Sequence, residues 1–169
     1  MSEEKTERHV LAVLVDNEAG VLARVVGLFS GRGYNIESLT VAEVDQAEHM
    51  SRITIATAGT PAVIAQIKAQ LDRLVPVHKV VDLTVQAPSV EREMALAKVA
   101  GTGEKRVEAL RLADAFRARV IDTTHTSFIF EVTGAPEKIE AFIGLMRPLG
   151  LVDVTRTGVV SIARGPEAM

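Results

Sequence analysis

The sequence predicts an α+β fold made of two ferredoxin-like βαββαβ domains, and three observations support that prediction. The unbroken apolar run at 10–15 is typical of a central strand that is covered on both faces. Apolar residues then recur at helical spacing from 21 to 29, and a cleanly alternating segment at 52–57 indicates a strand with one wet face. After a break at 86–89, the same order of elements returns.

The first domain is placed at residues 8–85. Its four predicted strands are 9–16, 36–43, 52–57 and 77–83. The first helix starts at Val21 and ends at Gly31 and Gly33, because glycine adopts the left-handed C-cap geometry at least cost. The second helix starts at Thr60-Pro61, a hydroxyl cap followed by proline. Its predicted buried stripe is Val63, Ile67, Leu71 and Leu74. Two helices cover one face of such a sheet, so the other face of the first strand needs a second domain or a partner chain.

The second domain is placed at residues 90–165, after a linker at 86–89. A strand at 93–99 precedes a helix at 104–116, and the segments 119–124 and 127–133 form a predicted hairpin. The helix at 104–116 carries Val107, Leu110 and Ala113 on one face. A further helix at 136–147 is expected to bury Ile139, Phe142, Ile143 and Met146. One or two strands around Gly158, within 151–163, close the domain.

Composition excludes several classes of function. The net charge of −3 and an aromatic content of 4% give no basic face and no stacking platform, so we expect no nucleic acid partner. The absence of cysteine excludes thiolate metal sites and cysteine nucleophiles, and the four histidines have no ligand spacing. We therefore expect no metal site and no catalytic residue. No apolar run approaches the roughly 18 residues that span a bilayer, and the acidic start Met1–Lys5 is unlike a secretory signal, so a cytoplasmic location is expected.

The stretch 16–41 offers one candidate binding site. A polar turn, 16–20, opens directly onto the first helix, whose free N–H groups and positive dipole end can hold a carboxylate. Asp16 and the Asn17 side-chain oxygen could hold an ammonium group beside it, which suits a free amino acid. Such turns are common, and from chemistry alone an ordinary capped turn is the favoured interpretation. Asn35 lies at the far end of the helix, roughly 18 Å away, so it could reach the same ligand only from a second chain in a twofold pair.

Several segments resemble one family over nearly the whole chain. The most specific are NEAGVLARV at 17–25, GLF at 27–29 and RGYNIESL at 32–39. Further matches are IAQIKAQLDRLVPVHKV at 64–80, VERE at 90–93, FRARVID at 116–122 and RTG at 156–158. Together they resemble the small regulatory subunit of acetolactate synthase (acetohydroxyacid synthase), whose first domain is an ACT domain.

The resemblance implies a subunit that is not an enzyme by itself and holds no cofactor. In that family the small subunit stimulates a separate, larger catalytic subunit that carries thiamine diphosphate, Mg²⁺ and FAD. The complex makes 2-acetolactate from pyruvate, or 2-aceto-2-hydroxybutyrate, in the biosynthesis of valine, leucine and isoleucine. The ACT domains pair as a homodimer, and valine binds between them as feedback inhibitor.

The family's valine contacts can be carried over residue by residue. Asn17 and Gly20 of one chain and Asn35 of its mate match the family's contacts, and the neighbours Val21, Leu22 and Ile36 are expected to complete the pocket. Two alternatives stay open at this point. One is a free-standing amino-acid-sensing ACT protein that regulates another enzyme or a transcription complex. The other is a small ferredoxin-like enzyme, disfavoured because no catalytic group stands out.

Overall fold

The computed structural model describes residues 5–86 and 88–169, so Ala87 of the predicted linker and the first four residues lie outside it. The first elements along the chain are β1 (Glu7–Asp16), α1 (Val21–Arg32), β2 (Ser38–Asp45), β3 (Met50–Gly59), α2 (Pro61–Asp72) and β4 (Val77–Asp82). They are followed by β5 (Ser89–Ala100), α3 (Gly103–Ala115), β6 (Arg119–Thr123), β7 (Ser127–Gly134), α4 (Pro136–Met146), a 3₁₀ turn (Arg147–Leu149), β8 (Leu151–Arg156) and β9 (Val160–Ala163).

The chain forms two compact units, and its last residues return to the first of them. One unit runs up to Val90 and also includes Val159–Met169, and the other is Glu91–Gly158. The sequence boundaries assign 159–165 to the second domain, whereas these residues pack with the first unit. Among the described residues, none of the helices combines the length and the apolar character that crossing a membrane requires.

The first unit contains the predicted βαββαβ arrangement. Its sheet has the antiparallel order β2-β3-β1-β4, with β1 and β3 as the central strands. Alternate residues of β1 face the helices, so Leu11 and Val13 pack with Val25 and Phe29 of α1 and with Ile67 of α2. The predicted stripe of α2 is confirmed at Ile67 and Leu71, both fully buried, while Val63 and Leu74 are partly buried.

The opposite face of the first sheet is partly covered by residues 159–169, here called the C-terminal segment. Ala163 and Met169 pack on a small cluster formed by Ala12, Val81 and Leu83. The segment is held at three further points: Val159 N–H donates to Ser38 Oγ (3.2 Å), Arg52 donates to the Ser161 carbonyl (2.7 Å) and Arg164 N–H donates to the Pro88 carbonyl (2.8 Å). The cover that the sequence assigns to another domain or chain is therefore provided in part by this segment.

The second unit has its own core and the same layout. Its strands follow the antiparallel order β6-β7-β5-β8, which confirms the predicted hairpin as β6 and β7. The helix α4 buries all four residues expected of it: Ile139, Phe142, Ile143 and Met146. The helix predicted at 104–116 is confirmed as α3 and Ala113 is buried, but Val107 is 66% exposed and Leu110 39%, and Ala109 shares the buried face instead. These alanines share the core with Ala95 and Ala97, where small side chains on helix and strand permit close packing.

An ion-pair cluster joins the start and the end of this second unit. Glu93 on β5 is almost fully buried and accepts two hydrogen bonds from the Arg156 guanidinium on β8, at 2.5 and 3.0 Å. Arg156 also bonds Glu140 of α4. The hydrogen bonds that Arg156 donates to Glu93 raise the pKa of Arg156, against the effect of its partial burial. Two of the segments that carry the family resemblance, 90–93 and 156–158, thus meet in one structural contact.

Candidate functional site

The start of α1 presents free backbone donors to solvent. Gly20 is its N-cap with φ 86° and ψ −8°, and no side chain caps the helix. The N–H of Arg24 bonds the Gly20 carbonyl, and the N–H of Val21 makes a long 3.4 Å bond to the Glu18 carbonyl. Within the described residues, the N–H groups of Gly20, Leu22 and Ala23 meet no protein acceptor. Three donors at a positive helix end therefore remain available for an anion.

Backbone hydrogen bonds fix the turn ahead of this helix start. The N–H of Asp16 donates to the Pro76 carbonyl at 3.0 Å, and the N–H of Asn17 donates to the His49 carbonyl at 2.7 Å. His49 itself adopts a left-handed backbone with φ 52° at the turn between β2 and β3. The Asn17 side chain is exposed, and its amide makes no hydrogen bond to any described residue. The turn is thus held by its main chain, and the Asn17 side chain is free to meet a ligand.

A histidine that the sequence did not single out for this site holds Asp16. Nε2 of His78 lies 2.6 Å from Oδ1 of Asp16, and both side chains are about half exposed (50% and 46%). Leu14 pairs with Lys79 and Val15 with Val77, so His78 is the extra residue of a β-bulge on β4. Bulges redirect side chains near functional sites. The Asp16 carboxylate, which is expected to hold an ammonium group, therefore already has His78 as a partner at Oδ1, and no described side chain contacts its second oxygen.

The other predicted half of the site lies beyond the end of α1. Gly33 takes the left-handed C-cap with φ 68°, and the N–H of Tyr34 closes onto the Phe29 carbonyl at 3.0 Å. The carbonyl of Asn35 accepts a hydrogen bond from the Thr57 hydroxyl at 2.6 Å, and the exposed Asn35 side chain makes no hydrogen bond within the described part of the chain. Ile36 is partly buried against the core. This end has an anchored main chain and an available amide.

The structure separates the six predicted residues into two groups. Asn17, Gly20, Val21 and Leu22 lie at the start of α1, and Asn35 and Ile36 lie beyond its end. The twelve residues of α1 span about 18 Å, so one chain does not bring both groups to one small ligand. The side chain of Val21 is buried in the core and can contribute only its backbone, whereas Leu22 is 38% exposed.

A second histidine–carboxylate contact, between His9 and Asp82, supports the fold. His9 Nδ1 lies 2.8 Å from Asp82 Oδ2, and both residues are buried between β1 and β4. Asp82 also accepts the N–H of Thr84, and Lys68 of α2 lies 3.9 Å from it. The described part of the chain contains no group of three or more histidines and carboxylates that could hold a metal ion. This buried pair links β1 to β4, which is the edge strand on the other side of the sheet from β2.

Comparisons with known proteins identify the family. Residues 11–79 match the family model "AHAS small subunit-like ACT domain", and residues 92–165 match "Small subunit of acetolactate synthase".

Curated relatives agree over almost the full length. The chain is 48% identical over 158 residues to the probable acetolactate synthase small subunit of Archaeoglobus fulgidus, covering 94% of this chain and 98% of the relative. It is 44% identical over 163 residues to the acetolactate synthase isozyme 3 small subunit of Escherichia coli, covering 96% and 99%. The crystal structure of the acetolactate synthase small subunit of Thermotoga maritima superposes with a TM-score of 0.86 at 38% identity, covering 95% of this chain and 99% of that one. These matches confirm the resemblance seen in the sequence, and the chain belongs to the acetolactate synthase small-subunit family.

Proposed function

We propose that this chain is the regulatory subunit of acetolactate synthase in branched-chain amino acid biosynthesis. It binds a larger catalytic subunit in the cytoplasm, activates it, and makes it sensitive to valine. Thiamine diphosphate, Mg²⁺ and FAD belong to that catalytic subunit, which condenses pyruvate to 2-acetolactate. This chain supplies no cofactor and no catalytic residue. Its family membership, over nearly the full length of the relatives, supports the proposal.

The observation that carries the valine part is the set of free donors at the start of α1. In the proposal, the valine carboxylate accepts from the N–H groups of Gly20, Leu22 and Ala23, which have no acceptor in the described chain. The N–H of Val21 is not among these donors, because it already has the Glu18 carbonyl at 3.4 Å. The ammonium group then meets Asn17, and the isopropyl group packs on the exposed Leu22.

Asn35 and Ile36 complete the pocket from a second chain. Because about 18 Å of helix separates them from Gly20, a homodimer with α1 helices antiparallel across a twofold axis would bring the start of one helix to the end of the other. Two features support pairing at this side: β2 is an edge strand of the sheet, and its Val41 and Val44 are exposed. Valine then binds at two equivalent sites, each shared between chains.

Inhibition follows from linkage between this pairing and the catalytic contact. A ligand held by two chains favours one arrangement of the dimer over others. A coupling free energy of about 1–3 kcal/mol between that arrangement and catalytic activation changes affinity 5- to 150-fold. By reciprocity, binding of the catalytic subunit must change valine affinity by the same factor.

Isothermal titration calorimetry with and without the catalytic subunit tests this proposal. We expect valine to bind the isolated chain with one site per chain, and its Kd to rise measurably when the catalytic subunit is present. Co-purification with a thiamine-diphosphate enzyme separates this function from that of a free-standing sensor. Failure to bind any such catalytic subunit, with valine binding intact, would favour the sensor.

A further inference from the structure

A cavity of the first unit lies between the sheet and the C-terminal segment. Its volume is about 430 Å³, within the range of small-molecule pockets. It is on the face of the sheet opposite the helices, because Lys79 and Arg52 both pair with Leu14, which alternates with the core-facing Val13 and Val15. None of the six residues assigned to valine lines it.

The inner wall of this cavity is apolar. It is formed by Val81 and Leu83 of the sheet and by Ala163 and Met169 of the C-terminal segment, which pack together as one cluster. A ligand that enters must therefore offer an aliphatic part to bury against these side chains.

The charged residues around the cavity are mostly cationic. Arg52, Lys79 and Arg164 line it, against the single acidic side chain of Glu167. Within the described residues, the Arg52 guanidinium donates one hydrogen bond, to the carbonyl of Ser161 at 2.7 Å, although the group carries five donors. Burial lowers the pKa of Arg52, and among the described residues no carboxylate forms an ion pair with it. A partly desolvated guanidinium without a counter-ion favours an anion beside it.

Ser161 precedes the cavity-lining Ile162 and does not itself line the cavity, but it carries a buried polar group beside it. The residue is 6% exposed, and its hydroxyl has no hydrogen-bond partner in the described chain. A buried hydroxyl without a partner costs free energy unless water or a ligand group satisfies it. It belongs to the same residue whose carbonyl holds Arg52.

We propose that this cavity binds a small organic carboxylate with a short aliphatic body and no ammonium group. The carboxylate pairs with Arg52 and Lys79, and the aliphatic body packs on Val81, Leu83 and Met169. The surplus of cations repels an ammonium group, so this site discriminates against free amino acids, unlike the site proposed at α1. Because the C-terminal segment forms one wall, occupation of the cavity holds that segment on the sheet.

Amide NMR of the full chain tests the proposal with 3-methylbutanoate, which is valine without its ammonium group. We expect saturable shifts at residues 161–164 and at Arg52. Valine is titrated into Gly20→Asp, in which the α1 site is blocked, and should bind at least tenfold more weakly at these amides. Inorganic phosphate, an anion without an aliphatic part, should also bind at least tenfold more weakly. Equal binding of phosphate or of valine would overturn the proposed ligand class.

Charge variants locate the site. Lys79→Gln removes a cation that lines the cavity, and should raise the Kd for 3-methylbutanoate about three- to tenfold. Arg52→Gln should raise it roughly ten- to hundredfold. The matched control is Arg73→Gln, which removes an exposed positive charge at the end of α2 and should leave the Kd within twofold. Unchanged binding in both Lys79→Gln and Arg52→Gln, or no saturable shift in the wild type, would refute the site.

Discussion

Replacing Gly20 by aspartate tests the proposed valine site most sharply, provided that backbone strain is separated from charge. Gly20 has φ 86°, in the left-handed region that costs an L-residue about 1–2 kcal/mol. A Cβ at this position would meet no atom within 4 Å, so sterics add nothing. Gly20→Ala therefore introduces the strain without the charge, and Gly20→Asp introduces both.

The expected loss of valine affinity follows from Coulomb's law. Two carboxylates about 4 Å apart repel by about 1 kcal/mol in water and about 4 kcal/mol at an effective dielectric constant of 20. Gly20 is exposed, so the lower half of that range applies, about 1–2.5 kcal/mol, which is equivalent to about five- to seventyfold in Kd from charge alone. The aspartate side chain also competes for the free N–H groups of α1, which increases the loss.

Calorimetry with valine and urea denaturation of both variants separate the two effects. We expect both variants to lose about 1 kcal/mol of unfolding free energy, Gly20→Ala to bind valine within a few-fold of wild type, and Gly20→Asp to lose detectable binding while still activating the catalytic subunit. Unchanged valine binding in Gly20→Asp would show that the site is assigned to the wrong place. An equal loss in Gly20→Ala would show that strain, and not charge, is responsible.

Three further predictions follow from the same structure. Asn35→Ala should weaken valine binding about tenfold. Dimers that combine one Asn35→Ala chain with one Gly20→Asp chain should keep one intact site. If calorimetry of such mixtures showed an all-or-none loss, it would contradict sites shared between chains. His78→Leu should raise the valine Kd about threefold while thermal unfolding shifts little, because the half-exposed contact between His78 and Asp16 contributes at most about 1 kcal/mol. An unchanged Kd would remove His78 from the site. Arg156→Met should lower the unfolding free energy by about 3 kcal/mol in urea denaturation, because it leaves the buried Glu93 unpaired. Adding Glu93→Leu should restore most of the lost unfolding free energy. A double variant as unstable as the single one would contradict this account.

The order of elements could be predicted because the strongest sequence signals coincide with buried faces. The unbroken run in β1 is central in its sheet, and the four large apolar residues of α4 are all buried. The ends of α1 were also predictable, because Gly20 and Gly33 both take left-handed backbones that glycine adopts at little cost. Local chemistry and tertiary packing agree at these positions.

The features that sequence could not predict depend on tertiary context. The buried face of α3 carries alanines, whose small side chains give little hydrophobic signal, while the larger Val107 stays exposed. Nothing local marks His78 as the extra residue of a bulge, since the register of β4 is fixed by its pairing with β1. The return of the C-terminal segment to the first sheet is likewise a long-range contact, and it creates a cavity that no motif indicates.

Acetolactate formation by the catalytic subunit, measured against added chain and then against valine, tests the central claim most directly. The account predicts that the wild-type chain raises the rate in a saturable manner and that valine then lowers it. In the presence of Gly20→Asp the rate should rise equally and valine should have little effect. A rate that does not respond to the wild-type chain, or valine inhibition that persists with Gly20→Asp, would contradict the account.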